Sequence, residues 1–311
     1  MSASDLISEL LLGMRLCGVQ FRRMEVPRPL GVGFSNEVGR AQFQFVGRGP
    51  VWLRSPAGEL HRLDSGDAVL IPRGGQHAVL SRPDTLSRDI RTFDPAVPAD
   101  DQPWESAEAD QAAVIFSCCM TLELGGMQPL VEAMPEVMRV DTILHSSPEI
   151  RPLLDAMERE SLVLLAGHAG ILARLAEVIA ALIVRGWVAK GCGVATGWIG
   201  AMQDPRLSKA LVMMHRHPGR PWTVASLASE AGQSRSVFAQ RFLRATGVSP
   251  LRYLTDLRMR LAQQSLSHDH QAVEAVAEQL GYGSLAAFSR AFKRSVGVPP
   301  GAVRAGWRDG G

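Results

Sequence analysis

Two quartets of side chains in the last third of the chain have the chemistry to read base edges: Arg235, Ser236, Ala239 and Gln240, then Leu285, Ala286, Ser289 and Arg290. Arginine and glutamine offer paired hydrogen bonds to purines, serine bonds to either partner of a pair, and small apolar groups meet a thymine methyl. Three further groups carry chemistry elsewhere. His77, with Glu59 and His61, offers the imidazole and carboxylate donors that divalent metals take. The adjacent Cys118 and Cys119 are the candidates for thiol redox chemistry. Phe43, Phe45 and Trp52, together with His77, suit a pocket for an aromatic or apolar small molecule.

The two quartets are positioned by a repeat. Leu227, Ala228, Gly232, Ser234, Phe238, Phe242, Gly247 and Pro250 are echoed by Val276, Ala277, Gly281, Ser284, Phe288, Phe292, Gly297 and Pro300, at an offset of 49 residues before the first turn and 50 after it. This spacing fits two helix-turn-helix units, at about 223–247 and 272–297, joined by a linking helix. In each unit a glycine supplies the positive φ of the turn, a serine caps the next helix, and two phenylalanines four residues apart turn inward. The quartets are left on the opposite side. Pro250 opens a linking helix of about five turns, long enough to hold both units on one face of DNA.

Charge separates the chain in the same place. Residues 201–311 hold 15 Lys or Arg against 7 Asp or Glu, a net of +8, whereas residues 1–200 carry a net of −6. The basic part suits phosphate and the acidic part does not. An all-helical repeat used for protein contact would explain neither the two glycine turns nor this segregation.

Residues 205 to 307 resemble the DNA-binding domain of the AraC/XylS family of bacterial transcription regulators. The resemblance is carried by Gly281-Tyr282-Gly283-Ser284, by Phe288-Ser289-Arg290-Ala291-Phe292-Lys293-Arg294 and by Gly297-Val298-Pro299-Pro300. It implies seven helices, two helix-turn-helix motifs on one face of double-stranded promoter DNA, and a neighbouring domain that senses a signal or dimerises. RNA polymerase is a further partner that the family admits, and activation or repression is left open. One departure is Gly301-Ala302-Val303-Arg304, where the family usually places an aromatic before the arginine.

With 311 residues, 46% of them apolar, the chain can bury two cores. The longest apolar helical patch, Ile171 to Val188, contains Arg174, Glu177 and Arg185, so no membrane span is expected. Asp5 and Glu9 stand ahead of the run Leu10-Leu11-Leu12 and no cleavage signal appears; a cytoplasmic location with reduced cysteines is expected.

From about Pro27 to Glu123 short alternating runs are punctuated by glycine and proline. Residues 42–46, 51–53, 59–63, 68–71 and 77–80 read as strands, and 113–124 supplies one or two more. Such a pattern gives a small closed or sandwiched β domain. Gly66-Asp67, Pro72, Gly74 and His77 match the second motif of the cupin barrels, and the segment resembles the cupin-type (AraC-binding-like) sensing domain found ahead of some AraC-family DNA-binding domains. Cupins often ligate a metal with that histidine plus a His-x-His and a glutamate from an earlier motif. Here the earlier segment offers Gln42 and Gln44, and Glu59 with His61 and His77 is a weaker substitute, so no metal or other cofactor is expected. Polar, acidic residues 95–110 read as a surface loop, and Gly191 to Gly197 as a flexible crossing.

Two apolar-striped helices follow, Pro148 to Leu165 and Gly170 to Lys190; the region 143–190 holds more apolar surface than one barrel needs, which points to a homodimer. The sequence thus predicts two domains: residues 1–200, a mainly β cupin-like barrel with added helices, and residues 201–311, all-α with two helix-turn-helix motifs. The combined expectation is a sequence-specific DNA-binding regulator that senses an unknown small-molecule effector. A redox-responsive regulator using Cys118 and Cys119 is the alternative. A metal-dependent cupin enzyme would need a complete metal triad or an acid–base pair inside the barrel, and neither is visible, so no catalytic residue is assigned.

Overall fold

A computed structural model describes residues 11, 14–34, 39–93, 112–124, 128–140, 147–163, 165–189 and 198–305. Its contacts fall into two compact units. One comprises Arg15–Glu123 and Met134–Trp187; the other holds the helices from Trp198 onward together with the segment Leu124–Ala133. The loop read at 95–110 and the crossing read at 191–197 lie outside the described residues.

The first unit is a pair of five-stranded sheets. One runs in the order β1 (Arg15–Val26), β9 (Ala113–Glu123), β3 (Ala41–Arg48), β6 (Ala68–Ile71), β10 (Met138–Arg139); the other runs β5 (Leu60–Leu63), β4 (Val51–Arg54), β7 (His77–Leu80), β2 (Gly31–Phe34), β8 (Ile90–Phe93). Neighbours are antiparallel except β2 and β8. Alternation along each strand sends one set of side chains between the sheets. Val46, Val69, Ile71 and Ile115 come from the first sheet, and Val32, Phe34, Val51, Leu53, Leu63 and Val79 from the second, to make one core.

The strands expected from alternation form at the expected places, and residues 113–123 make a single strand. β1 is an addition. It precedes Pro27, where strand character was expected to begin, and its exposed Arg15, Arg22 and Arg23 hide its alternation. Such charge is tolerated because, among the described residues, β1 is a sheet edge paired only with β9. Two helices, α2 (Ile150–Val163) and α3 (His168–Ala189), complete the unit and bury Ile150, Leu154 and Met157, and Leu172, Ala176, Ile179 and Ile183. α2 is tied to the sheets by Arg151, which donates to the Gly66 carbonyl at 3.2 Å.

The second unit is all-helical. Besides short α1 (Pro129–Ala133) and α4 (Trp198–Gln203), it has seven helices from Pro205: α5 (Pro205–Arg216), α6 (Val224–Glu230), α7 (Arg235–Thr246), α8 (Pro250–Ser267), α9 (Val273–Gln279), α10 (Leu285–Val296) and α11 (Pro300–Ala305). Local chemistry explains the boundaries. Asp204 caps α5 ahead of Pro205, Ser234 accepts from the Val237 amide at the start of α7, and Ser284 does the same from Ala287 for α10. Gly247 and Gly297 end α7 and α10 at φ of 76° and 89°, a conformation that side chains other than glycine rarely adopt. Among the described residues no helix is long and apolar enough to cross a membrane.

Candidate nucleic-acid interface and barrel interior

Helix α7 buries Phe238 and Phe242 completely, with ring centroids 5.6 Å apart, and Phe242 meets the Tyr253 ring of α8 edge-on at 5.6 Å. Helix α10 repeats this with Phe288 and Phe292 at 5.7 Å. Burying these rings fixes the rotation of each helix. Arg235, Ser236 and Gln240 are exposed and Ala239 is half-buried; Leu285, Ala286 and Arg290 are exposed and Ser289 is half-buried. Both quartets therefore lie on the faces left free by core packing. Val237, 51% exposed, joins the first face and was missed from the sequence, where a valine beside a phenylalanine reads as core.

Three further residues position these helices through contacts distant in the chain. Asp204 divides its carboxylate: one oxygen accepts from the Arg206 amide at 2.9 Å and the other pairs with Arg241 of α7 at 2.8 Å. Arg258 of the linking helix α8 donates to the carbonyls of Pro218 (2.7 Å) and Arg220 (2.9 Å), and its guanidinium lies 5.8 Å from the Tyr282 ring centre. Gly219 packs backbone to backbone on the second turn, where a Cβ on Gly281 would stand 2.0 Å from the Gly219 carbonyl oxygen. Arg258 and Gly219 thus join the loop before the first unit to the turn of the second.

The interior of the β unit differs from expectation. Of the four pocket candidates, His77 alone points between the sheets. Gln42, Gln44 and Val46 face inward on β3, so Phe43 and Phe45 face out, where Phe45 stacks on Phe116 at 5.6 Å; Trp52 likewise alternates with the inward Val51 and Leu53. A one-residue change in the assumed phase of β3 accounts for the error, because successive strand side chains point to opposite faces. A cavity of about 390 Å³ lies at the end of the second sheet, lined by Phe34, Arg54, Ser55, Gln76, His77 and Thr92 among others.

His77 is buried and stacks on Phe34 at 4.8 Å. Its Nδ1 donates to the Gly75 carbonyl at 2.9 Å, leaving Nε2 to accept from the Gln44 amide nitrogen at 3.3 Å. Burial pushes its pKa down to about 4, against the smaller upward pull of the Gly75 carbonyl, so the ring is neutral at pH 7. Gln44 Nε2 also donates to Ser117 Oγ at 3.0 Å. The weaker metal set does not assemble: His61 lies 3.8 Å from Glu59, whose side chain is 75% exposed, and the donors of Glu59, His61 and His77 do not converge within the reach of one ion.

Cys118 and Cys119 are also separated, since neighbours on a strand face opposite ways. Cys118 is fully buried opposite Phe43, and burial pushes its thiol up to about 12. Cys119 faces inward beside Gln42; burial raises its pKa while Arg40 and Gln42 pull it down. Neither thiol is held as a thiolate, which is the reactive form.

The chain matches the cupin family over residues 5–189 and the helix-turn-helix domain family over residues 227–306. It is 30% identical over 242 residues to a putative AraC-like transcription regulator of Streptomyces lividans, covering 78% of this chain and 79% of that one. Identity is 29% over 279 residues to the RCS-specific HTH-type transcriptional activator RclR of Escherichia coli, covering 89% and 87%. It is 32% over 241 residues to the HTH-type transcriptional regulator AlkR of Acinetobacter baylyi, covering 76% and 78%. A cupin unit joined to a duplicated helix-turn-helix unit defines a class of DNA-binding transcription regulators. This chain belongs to the AraC family within that class, as its signature residues implied.

Proposed function

We propose that this protein binds specific sequences in double-stranded promoter DNA through α7 and α10, and that a small-molecule effector in the cupin unit changes that binding. The observation that carries the reading is the pair of outward polar faces mounted on one linking helix. At 1.5 Å per residue, α8 spans about 27 Å, which brings its two ends near the roughly 34 Å repeat of the major groove. Arg235, Ser236 and Gln240 are assigned to base edges in one groove, and Ser289 with Arg290 to the next, Ala239, Leu285 and Ala286 lining the contacts. The excess of +8 charges in residues 201–311 supplies the phosphate attraction. An effector acts by binding the DNA-competent and incompetent states with different affinity. The protein works in the cytoplasm, on promoters where RNA polymerase is the neighbouring machine, and no reaction of its own is assigned to it.

Selection of bound duplexes from random sequence, using the full chain at moderate salt, tests this. One enriched sequence is expected. Arg235→Ala and Gln240→Ala should each cost about 1–3 kcal/mol on it and relax preference at one position. Equal affinity for the selected and scrambled duplexes refutes specific reading, and unchanged affinity and preference in both variants refute the assignment to α7.

The same reading makes the protein a homodimer through residues 143–190. After α3 has buried its inner stripe, Ile171 and Val178 remain 47% and 48% exposed, two turns apart on one face. A second copy covers them, and linking two DNA-binding events raises affinity. Sedimentation of Ile171→Glu/Val178→Glu should give a monomer where the wild type gives a dimer. A wild type that is monomeric at micromolar concentration and binds its operator as one copy refutes the dimer.

A further inference from the structure

The cavity of about 390 Å³ at the end of the second sheet opens on that sheet's outer face. Strand register places it there. Arg54 of β4 pairs with Ala78 of β7, Ala78 with Gly33 of β2, and Gly33 with Thr92 of β8. Paired residues share a face of the sheet, and the adjacent Leu53, Val79 and Val32 point into the core. The row Arg54, Ala78, Gly33, Thr92 therefore crosses the outer face, and Phe34 and His77 border the cavity only where β2 ends and β7 begins. This row forms a trough. Its middle positions carry a methyl group and a hydrogen, so backbone makes the floor, with Arg54 and Thr92 on either side, three inter-strand steps of about 4.8 Å apart. The next row closes one end: a Cβ on Gly31 would stand 2.7 Å from Leu80 Cδ2 and 3.3 Å from Ile90 Cγ1.

The polar groups lining the trough divide into those already engaged and those left open. Ser55 Oγ is committed to Glu136 at 2.8 Å, and the two ring nitrogens of His77 to Gly75 and Gln44, so both residues supply wall and no free donor. Arg54 makes one hydrogen bond, from Nη2 to the Thr85 carbonyl at 3.3 Å, and no carboxylate pairs with it among the described residues. Thr85 is buried, and its own hydroxyl donates to the Arg82 carbonyl at 2.8 Å. The guanidinium is thus anchored at one corner, with its remaining N–H groups unspent. The side chains of Gln76, Ser87 and Thr92 have no hydrogen-bond partner among the described residues. One unneutralised cation, a flat floor of small residues and two open hydroxyls share one cavity.

We propose that this outer-face trough is the effector site, and that it takes a small planar ring monocarboxylate with a hydrogen-bond acceptor on the far side of the ring. The carboxylate meets Arg54, whose planar fork matches it. The ring lies on the floor made by Ala78 and Gly33, and the acceptor receives a hydroxyl from Ser87 or Thr92. Charge-assisted bonds at Arg54 offset the desolvation of the anion. A single lining cation favours one negative charge over a phosphate or a dicarboxylate. The volume falls in the range of about 300–1,000 Å³ usual for small-molecule sites. The ligand does not enter between the sheets, where Gln42 and Gln44 are closed to solvent.

This inference rests on the cupin unit being the sensing unit, and the site itself is tested without DNA. Calorimetry on the full chain compares isonicotinate, which has the carboxylate and a ring nitrogen opposite it, with isonicotinamide, which lacks the charge, and benzoate, which lacks the ring nitrogen. Isonicotinate is expected to bind roughly tenfold more tightly than the amide, with benzoate between them. Arg54→Gln should remove the preference for the acid and Arg54→Lys should keep part of it. Ala78→Leu should fill the trough and abolish binding, whereas Gln42→Leu, a change between the sheets, should leave affinity as it is. Thr92→Val, at an exposed position, provides a milder test if Ala78→Leu does not fold, and together with Ser87→Ala it should bring isonicotinate down to the affinity of benzoate. No binding of isonicotinate at millimolar concentration, equal binding of acid and amide, or an affinity lost in Gln42→Leu but kept in Arg54→Gln overturns the proposal. Binding to the selected operator, measured with and without isonicotinate, separates the two claims. If isonicotinate binds through Arg54 and operator affinity does not change, the trough stands as a ligand site and its role as effector site fails. If isonicotinate does not bind and another compound changes operator affinity, the trough fails and the effector reading stands.

Discussion

The two helix-turn-helix units share eight matched residues, yet they are held in different ways. The first is built from local devices. Thr223 and Ser226 form a reciprocal capping box on α6, and Gly232 turns at φ 61° with nothing within 4 Å of where a side chain would grow. Its core contains a polar pair, His215 and Tyr253, joined at 2.7 Å. The second unit begins at Ala272, which supplies no cap, and its turn glycine is pressed against Gly219 under the Arg258 clamp. Its core of Met259, Leu266, Val276, Phe288 and Phe292 is apolar, with Tyr282 edge-on to Phe288 at 5.4 Å. A duplicated sequence therefore does not mean duplicated support: the first unit carries its own ends, and the second borrows its geometry from the loop ahead of the first.

The two turn glycines break this comparison most directly. Gly232→Ala should cost about 1–2 kcal/mol, the strain of a left-handed alanine alone. Gly281→Ala should cost about 2–5 kcal/mol, because the same strain is joined by overlap with the Gly219 carbonyl. Chemical denaturation of the two variants measures the difference, and equal losses would show that the backbone contact between Gly219 and Gly281 does not hold the second unit.

Acid should separate the units next. Burial, with Arg260 adding to it, pushes the His215 pKa from its usual 6.5 down to about 3. Between these values the unfolded chain takes up a proton that the folded chain refuses. The contribution is full above about 6.5 and declines as pH falls toward 3, by up to about 1.4 kcal/mol per pH unit. Hydrogen exchange from pH 7 to pH 4 should show amides of α5 and α7 losing protection before those of α10, and His215→Phe should flatten the trend. His77, at about 4, adds a similar decline in the β unit below pH 6.5.

Smallest is the effect of the caps. Thr223→Ala should cost about 1 kcal/mol. Ala272→Ser should gain about 0.5–1 kcal/mol by giving α9 the side-chain acceptor it lacks. Thermal unfolding distinguishes the signs; destabilisation by Ala272→Ser would mean that the start of α9 is set by packing and not by its unsatisfied amides.

The sequence by itself determined the helical unit almost completely. Its glycine turns, serine caps and paired phenylalanines act over four residues or fewer, so their spacing carries their geometry, and the outward quartets follow from which residues must be buried. It also located most strands. It did not determine which side of β3 faces the core, because alternation has two phases and Gln42-Phe43-Gln44-Phe45 places the apolar residues on the wrong one for an interior reading. Only the second sheet, with His77 and the apolar core opposite, settled that the glutamines point in and the phenylalanines lie beneath the other face. The same holds for Arg258 and Gly219, whose partners Pro218, Arg220 and Gly281 lie about 40 residues or more distant in the chain. Long-range contacts leave no local periodicity to read: a residue fixed by its neighbours in the chain announces itself, and one fixed by neighbours in space does not.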